Sequence, residues 1–218
     1  MNITWYAQSC FKLQSKDVVL ITDSFDKKIG FKPPFGAADI VTISHDHYDH
    51  NNSQVIKGKP FIIDGEGEYE IKKVSVKGIE SCHDNNKGAD LGFNTIYVIE
   101  IEDINICHLG DIGQETLTNG QLEKIGRVDL LFIPIGGVST IDWKSANNII
   151  SQIDPRIIIP MHYKIPGGVG DLKKLDDREK FCKEHGVQNN DIVEKFNIKK
   201  KDLPQEDVKI VILKPVGK

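Results

Sequence analysis

The chain has 218 residues, of which 39% are hydrophobic and 28% are charged. This balance is typical of a folded globular protein and excludes an intrinsically disordered one. Its 28 basic and 32 acidic residues give a formal net charge of −4, so the basic excess of a dedicated nucleic-acid binder is missing. The length suits one medium-sized domain, and we expect residues 1–218 to form a single domain.

The four cysteines, Cys10, Cys82, Cys107 and Cys182, form no C-x-x-C pair, and their spacing predicts no disulfide framework. The first residues lack the basic start and apolar stretch of a secretory leader. No run of about eighteen apolar residues predicts a membrane span. We therefore expect a cytoplasmic protein with reduced thiols.

Short runs of β-branched and aromatic residues predict a β-rich first half. The predicted strands are 3–6, 11–14, 18–23, 40–43, 61–63, 74–79, 95–101 and 104–109. Pro33 and Pro34 place residues 32–36 in a loop, and residues 65–67 and 85–88 have turn composition.

The later part mixes helices with strands. Helical apolar spacing predicts a helix over 143–153 with Asp142 as its N-cap, and less regular helices over 115–125 and over 177–185, the latter ending before Gly186. Strands are predicted over 129–133, 156–160 and 208–213.

The sequence between Ser44 and His50 carries the strongest chemical signal. His45, His47, Asp49 and His50 form an H-x-H-x-D-H pattern directly after an apolar strand. Imidazole nitrogens and carboxylate oxygens suit zinc, and also suit iron or manganese. A polar loop can contain histidine and aspartate by chance, but the pattern and its position favour a metal site.

Three further residues of metal-binding type follow predicted strands. They are His83, Asp111 and His162, and functional side chains often lie where a rigid strand gives way to a loop. Each alone would more often be structural, because a Gly-Asp pair is an ordinary turn and a single histidine is usually not a ligand. Together with residues 45–50 they form a plausible ligand set.

These motifs resemble those of the metallo-β-lactamase superfamily. The segments 3–11, 133–137 and 160–163 are similar to its L-ascorbate-6-phosphate lactonase-like branch of metal-dependent hydrolases. The resemblance implies a first metal ion held by His45, His47 and His83 and a second held by Asp49, His50 and His162, with Asp111 bridging both. The match around His83 is the weakest, and the flanking Cys82 and Asp84 remain alternative ligands.

The resemblance also implies an α+β fold, the four-layer αββα sandwich built from two similar halves, with the site at one edge. It implies two divalent metal ions, zinc first and manganese or iron as alternatives. The activity expected is that of a hydrolase in which a metal-bound hydroxide attacks a small anionic ester, lactone or phosphodiester. Asp49 would carry the proton.

Three residues near the ligands are candidates for supporting or substrate-binding roles. His108 precedes Gly110-Asp111, while Tyr163 and Lys164 follow His162. The alternatives are a strand histidine turned away from the site and a solvated surface lysine. The partner expected is a small molecule, and the sequence is compatible with a homo-oligomer.

Other functions remain open at this point. Some superfamily members are nucleases, although the acidic balance and compact length disfavour this role. Others carry iron and perform redox chemistry. A non-catalytic metal-binding or sensor protein would keep the ligands, but it would not need Asp49.

Overall fold

The computed structural model describes residues 1–188 and 192–216. Its first sheet contains six strands: β1 (Asn2–Ala7), β2 (Cys10–Gln14), β3 (Val19–Thr22), β4 (Ile40–Thr42), β5 (Phe61–Ile63) and β13 (Phe196–Asn197). They lie side by side in the order β13-β1-β2-β3-β4-β5.

The second sheet contains seven strands. They are β6 (Gly67–Ile71), β7 (Val74–Cys82), β8 (Phe93–Ile101), β9 (Ile104–His108), β10 (Leu130–Pro134), β11 (Ile157–Met161) and β14 (Lys209–Ile210). Their order is β14-β11-β10-β9-β8-β7-β6. A separate pair, β12 (Ile192–Val193) and β15 (Ile212–Leu213), is parallel.

The two sheets repeat one pairing pattern. Strands β1, β2 and β3 are antiparallel neighbours, and β4 and β5 then add in parallel. Strands β7, β8 and β9 are likewise antiparallel, followed by β10 and β11 in parallel. As a result, β7, β9, β10 and β11 all run in one direction, and their carboxyl ends meet at one edge of the second sheet.

The sheets are joined by aromatic side chains in a continuous core. Phe11 of β2 stacks on Phe132 of β10 with ring centroids 4.0 Å apart. The hydroxyl of Tyr97 in β8 donates to the carbonyls of Ile43 and Ile63, at 2.7 and 3.1 Å. These contacts fix the loops after β4 relative to the second sheet, and the site depends on that alignment.

Within the described ranges, three α-helices accompany the second sheet: α1 (Asn119–Ile125), α2 (Trp143–Ile153) and α3 (Glu179–Glu184). Helix α1 contacts β7, and α2 contacts both β10 and α3. The parallel crossovers of the first sheet contain only the 3₁₀ turns Lys27–Ile29 and Ser53–Val55 among the described residues. Pro33 and Pro34 in one crossover, and the histidine-rich turn in the other, account for this reduced helical layer.

The α+β sandwich expected from the sequence is confirmed, and most predicted elements are present. Helix α2 has the predicted bounds, and the Asp142 side chain accepts from the backbone amides of Lys144 and Ser145. The helix predicted from residue 115 begins only at Asn119, because Thr118 and Gln121 form a capping box there.

Two predictions in the β-structure were wrong. Strand β6 starts at Gly67, inside a segment predicted as a turn, because its residues are mostly polar and partly exposed. The single strand predicted over 208–213 is two short strands, β14 and β15, which pair with different partners. Among the described residues, no helix has the length and apolar character to cross a bilayer.

Candidate metal centre

The turn after β4 brings several donor side chains to one point. The amide of His47 donates to the carbonyl of His45 at 3.1 Å, and the amide of His50 donates to the carbonyl of His47 at 2.9 Å. These tight bonds reverse the chain within six residues, so side chains close in sequence face a common centre. The ring centroids of His45 and His50 lie 4.2 Å apart.

Asp23 anchors this turn from the end of β3. Its buried carboxylate accepts from the amide and the hydroxyl of Ser44, both at 2.8 Å, and pairs with His50 Nδ1 at 3.0 Å. A carboxylate on one imidazole nitrogen orients the ring and leaves the other nitrogen available to a metal ion. Asp23 therefore aims His50 Nε2 into the site.

The second sheet supplies the remaining donors from three strand ends. His83 follows β7, Asp111 follows β9 and His162 follows β11. Asp111 is held by two buried groups: Ser9 Oγ donates to its Oδ1 at 3.0 Å, and its own amide donates to Asn94 Oδ1 at 2.9 Å. Its Oδ2 is left facing the histidines.

Two glycines allow the loops to come this close. Gly110 has a φ of 57°, and a Cβ there would lie 2.2 Å from Asn94 Oδ1. A Cβ on Gly136 would lie 2.2 Å from the carbonyl oxygen of His162. Any side chain at either position would push Asp111 or His162 out of place.

All seven predicted ligands converge. Three groups of donor atoms each lie within 4.8 Å of one another: His45, His47 and His83; His45, His50 and Asp111; and Asp49, His50 and His162. Asp111 Oδ2 is 3.2 Å from His50 Nε2 and 3.1 Å from His162 Nε2.

Several buried imidazole nitrogens at this centre lack a hydrogen-bond partner within the described protein. They are His45 Nε2, His83 Nδ1 and His162 Nδ1, whereas His50 Nε2 faces the Asp111 carboxylate. Burying a polar atom without a partner is costly. The donor set and its unpaired nitrogens therefore fit a metal centre.

In the metal-free protein, the histidines and aspartates of the cluster shift one another's pKa values. Burial, with the nearby charge of His50, lowers the pKa of His45 to about 3. Burial alone would raise the pKa of Asp49, but His50 outweighs it and holds the value at about 2. Burial opposes a charge on His50, yet Asp111 and Asp49 raise its pKa well above the usual value. One proton is thus retained on His50 among carboxylates.

The candidate supporting residues lie in different places. His108 is buried, with Nε2 donating to the carbonyl of Ser9 at 2.8 Å and Nδ1 accepting from the amide of Gly110. His108 therefore contacts the backbone of Ser9, and the hydroxyl of Ser9 donates to Asp111. Tyr163 is buried against Trp5, with ring centroids 5.2 Å apart, and Lys164 is exposed beside a different cavity.

The two alternative ligands at His83 have other surroundings. Asp84 accepts four backbone amides, from Asn86, Gly88, Asp90 and Leu91, at 2.7 to 3.0 Å. The bond from Leu91 contributes most to lowering the pKa of Asp84 to about 2. Cys82 and Asp84 are in none of the three donor groups, whereas His83 is.

A cavity of about 250 Å³ opens over the donor cluster and reaches His47, Asp49, His83, Asp111 and His162. A larger cavity of about 560 Å³ lies behind Tyr163, against α3, and includes Lys164 and Arg178. We assign the site to the smaller cavity, because the converging donors open onto it.

Asp23, Ser9 and Asn94 position the candidate ligands, and none of them was predicted as a functional residue from the sequence. A signal existed for Asp23, because it directly follows β3 just as Asp111 follows β9 in the second half. Nothing in the local sequence marks Ser9 or Asn94, since each acts on a residue far along the chain.

Residues 2–162 match the model of the β-lactamase superfamily domain. A UPF0173 protein of Pyrococcus abyssi is 29% identical over 192 residues, covering 77% of this chain and 86% of its own. A UPF0173 metal-dependent hydrolase of Methanosarcina mazei is 26% identical, covering 75% and 83%.

Solved structures agree with this likeness. A Thermotoga maritima protein named as a Zn-dependent hydrolase of the metallo-β-lactamase superfamily is 32% identical, with a TM-score of 0.77 and 97% of each chain covered. An isothiocyanate hydrolase from Delia radicum gut bacteria has a TM-score of 0.70 over 100% of this chain and 98% of its own, but at 14% identity it supports the fold alone. The chain therefore belongs to the metallo-β-lactamase superfamily of metal-dependent hydrolases.

Proposed function

We propose that the chain is a dinuclear zinc hydrolase that cleaves a small ester or lactone, with phosphodiesters as the related alternative. The observation that carries the proposal is the convergence of three donor groups, each within 4.8 Å, around buried and unpaired imidazole nitrogens. Manganese and iron also suit this donor set. Because donors come from loops of both sheets, we infer that the chain acts as one domain.

The donor groups support a division of ligands. His45, His47 and His83 would hold one ion, and Asp49, His50 and His162 would hold the other. Asp111 groups with His45 and His50, one residue from each set, which supports a bridging role. When bound, two divalent ions lower the pKa of a shared water towards neutrality and polarise the substrate oxygen.

The protein side chains perform the remaining steps. Asp49 is 15% exposed at its side chain and borders the cavity, so it can reach both water and substrate. As a metal ligand it would be ionised at neutral pH. It would accept a proton from the attacking water and return it to the leaving oxygen as the acyl C–O bond breaks. The products are a carboxylic acid and an alcohol.

Metal analysis and turnover together test this proposal. We expect about two zinc equivalents per chain after zinc reconstitution, and hydrolysis of members of an ester, lactone and phosphodiester panel. His47→Ala should lose metal and turnover together, whereas Asp207→Asn, an exposed control, should keep both. Full activity in His47→Ala would remove the assigned role. Metal binding without turnover of any substrate would indicate the non-catalytic alternative.

A further inference from the structure

We propose that the metal-centred cavity selects an uncharged ester or lactone through apolar contacts with Tyr48, Leu91 and Val138. The inference rests on the proposed function, because it concerns the substrate of the same site. It replaces the anionic substrate expected from the family resemblance.

The opening of the cavity is lined with apolar side chains. Tyr48, Leu91 and Val138 are exposed by 56%, 42% and 64%, although they border one small opening. Leu172 and Leu175 are buried beneath them. Large apolar groups gathered at an opening indicate a surface that is covered during function.

The charged side chains that border the cavity, apart from histidines, are all acidic among the described residues: Asp49, Asp111 and Asp171. Two bound divalent ions would outweigh Asp49 and Asp111 at the floor of the cavity, but Asp171 at the rim lies outside the donor groups. Lys174 Nζ pairs with Asp171 Oδ1 at 2.6 Å. Both partners are largely exposed, so solvent weakens that pair. A substrate carboxylate or phosphate would meet Asp171 and an apolar rim.

Val138 is placed at this opening at a conformational cost. Its φ is 67°, a region that β-branched residues strongly disfavour. The turn is fixed by the bond from the Gly137 amide to the Ile141 carbonyl at 3.1 Å. Neither backbone preference nor core packing accounts for an exposed valine here. Strain of this kind is concentrated at functional sites, which supports contact with a ligand.

Leu91 is held in a fixed position on the opposite loop. Its amide donates to Asp84 Oδ2 at 2.8 Å, and the same carboxylate gathers three further amides of this loop. A preorganised contact loses less entropy when a ligand binds. Leu91 therefore contributes its apolar surface with little ordering cost.

Hydrolysis converts a neutral substrate into a negatively charged product. Water adds across the acyl C–O bond of a neutral ester and produces an alcohol, a carboxylate and a proton. The neutral substrate suits the apolar rim. The carboxylate appears only after the attack and at the reacting carbon, so the rim meets a neutral molecule when the substrate enters.

Two esters that differ by one charge provide the test. The zinc-loaded protein is assayed with p-nitrophenyl butyrate and with p-nitrophenyl hemisuccinate, whose acyl chain has the same length but ends in a carboxylate. The rate without protein is subtracted. We expect kcat/KM to favour the butyrate by about tenfold or more, the scale of one misplaced group in a pocket. Val138→Lys should reduce that preference, and Val208→Lys, an exposed valine outside the cavity, should not.

Val138→Gly separates substrate contact from structural support. Glycine accepts the positive φ, so the melting temperature should stay unchanged or rise, while kcat/KM for the butyrate should fall about tenfold. A lower melting temperature with the loss of activity would overturn the contact role. Equal or better turnover of the hemisuccinate would overturn the inference and leave the proposed function standing. Turnover of neither ester, nor of any other panel member, by protein with two metal ions would remove both.

Discussion

At the scale of single residues, Asp23 shows how a side chain outside the donor set can control the site. It binds Ser44 twice and His50 once, so it fixes both ends of the ligand turn. The second half has Asp111 at the corresponding strand end. Asp23 therefore orients the candidate ligand His50, whereas Asp111 is itself a candidate ligand.

Asp23→Asn should weaken metal binding without unfolding the chain. The amide keeps the shape of the carboxylate but has one acceptor oxygen and no charge, so it cannot accept all three bonds from Ser44 and His50, and the orientation of His50 weakens. We expect zinc affinity to fall by roughly 10–100-fold, measured by competition with a chromogenic chelator. Asp207→Asn serves as the control. An unchanged affinity would contradict the orienting role.

His45 gives the metal-free protein a defined acid sensitivity. Its folded-state pKa is about 3, and that of the unfolded chain is about 6.5. Between these values the unfolded chain binds a proton that the folded chain does not, so this residue reduces stability as the pH falls.

The His45→Gln variant has no imidazole at this position, so its unfolded chain cannot bind that proton. In EDTA, the variant should gain stability relative to the wild type as the pH falls from 7 to 4, by up to about 1.4 kcal/mol per pH unit. Urea unfolding at four pH values measures the difference. A difference that stays constant with pH would show that His45 does not titrate in this way.

At the scale of elements, the strand ends decide where the donors lie. Gly110 shows how little room is left between β9 and the turn after β4. Gly110→Ala would combine a disfavoured positive φ with contacts to Asn94 Oδ1 at 2.2 Å and Ser44 Cβ at 2.7 Å. Both of these neighbours support the ligands.

Gly110→Ala should therefore destabilise the chain by more than the strain of its positive φ alone, which is about 1–3 kcal/mol. Gly186→Ala is the matched control, because Gly186 has a φ of 67° and open space around it. Urea unfolding of both variants isolates the contact contribution. Equal losses would show that the close approach carries no cost.

The sequence was sufficient for some elements of the site and not for others. His45, His47, Asp49 and His50 could be predicted as ligands because they are close together in the sequence and follow an apolar strand. Asp23 and His50 are 27 residues apart, and only the parallel pairing of β3 with β4 brings them together. The acidic and apolar lining of the cavity likewise comes from five separate loops, so the sequence alone could not predict the charge of the substrate.

At the scale of the whole molecule, the candidate metal centre lies between the two halves. The turn after β4 belongs to the first sheet, whereas His83, Asp111 and His162 follow strands of the second. Metal ions would therefore cross-link both sheets. Their binding energy adds to the stability of the whole fold rather than of one loop.

Removal of metal should lower the melting temperature of the entire chain in a single transition. Free zinc at a hundred times its Kd stabilises the folded state by about 2.7 kcal/mol. For a chain of this size that corresponds to roughly 5–10 °C. Calorimetry with and without EDTA measures the shift. Two separate transitions, or no shift, would contradict a centre shared by both halves.

The packing of Trp5 gives this protein a built-in optical probe. Its indole donates to the carbonyl of Gln8 and lies against Tyr163, the residue after His162. Tryptophan emission responds to small changes in ring environment. Titration with zinc should therefore alter the intrinsic fluorescence as the ends of β1 and β11 tighten, and it would report assembly of the site without any attached dye.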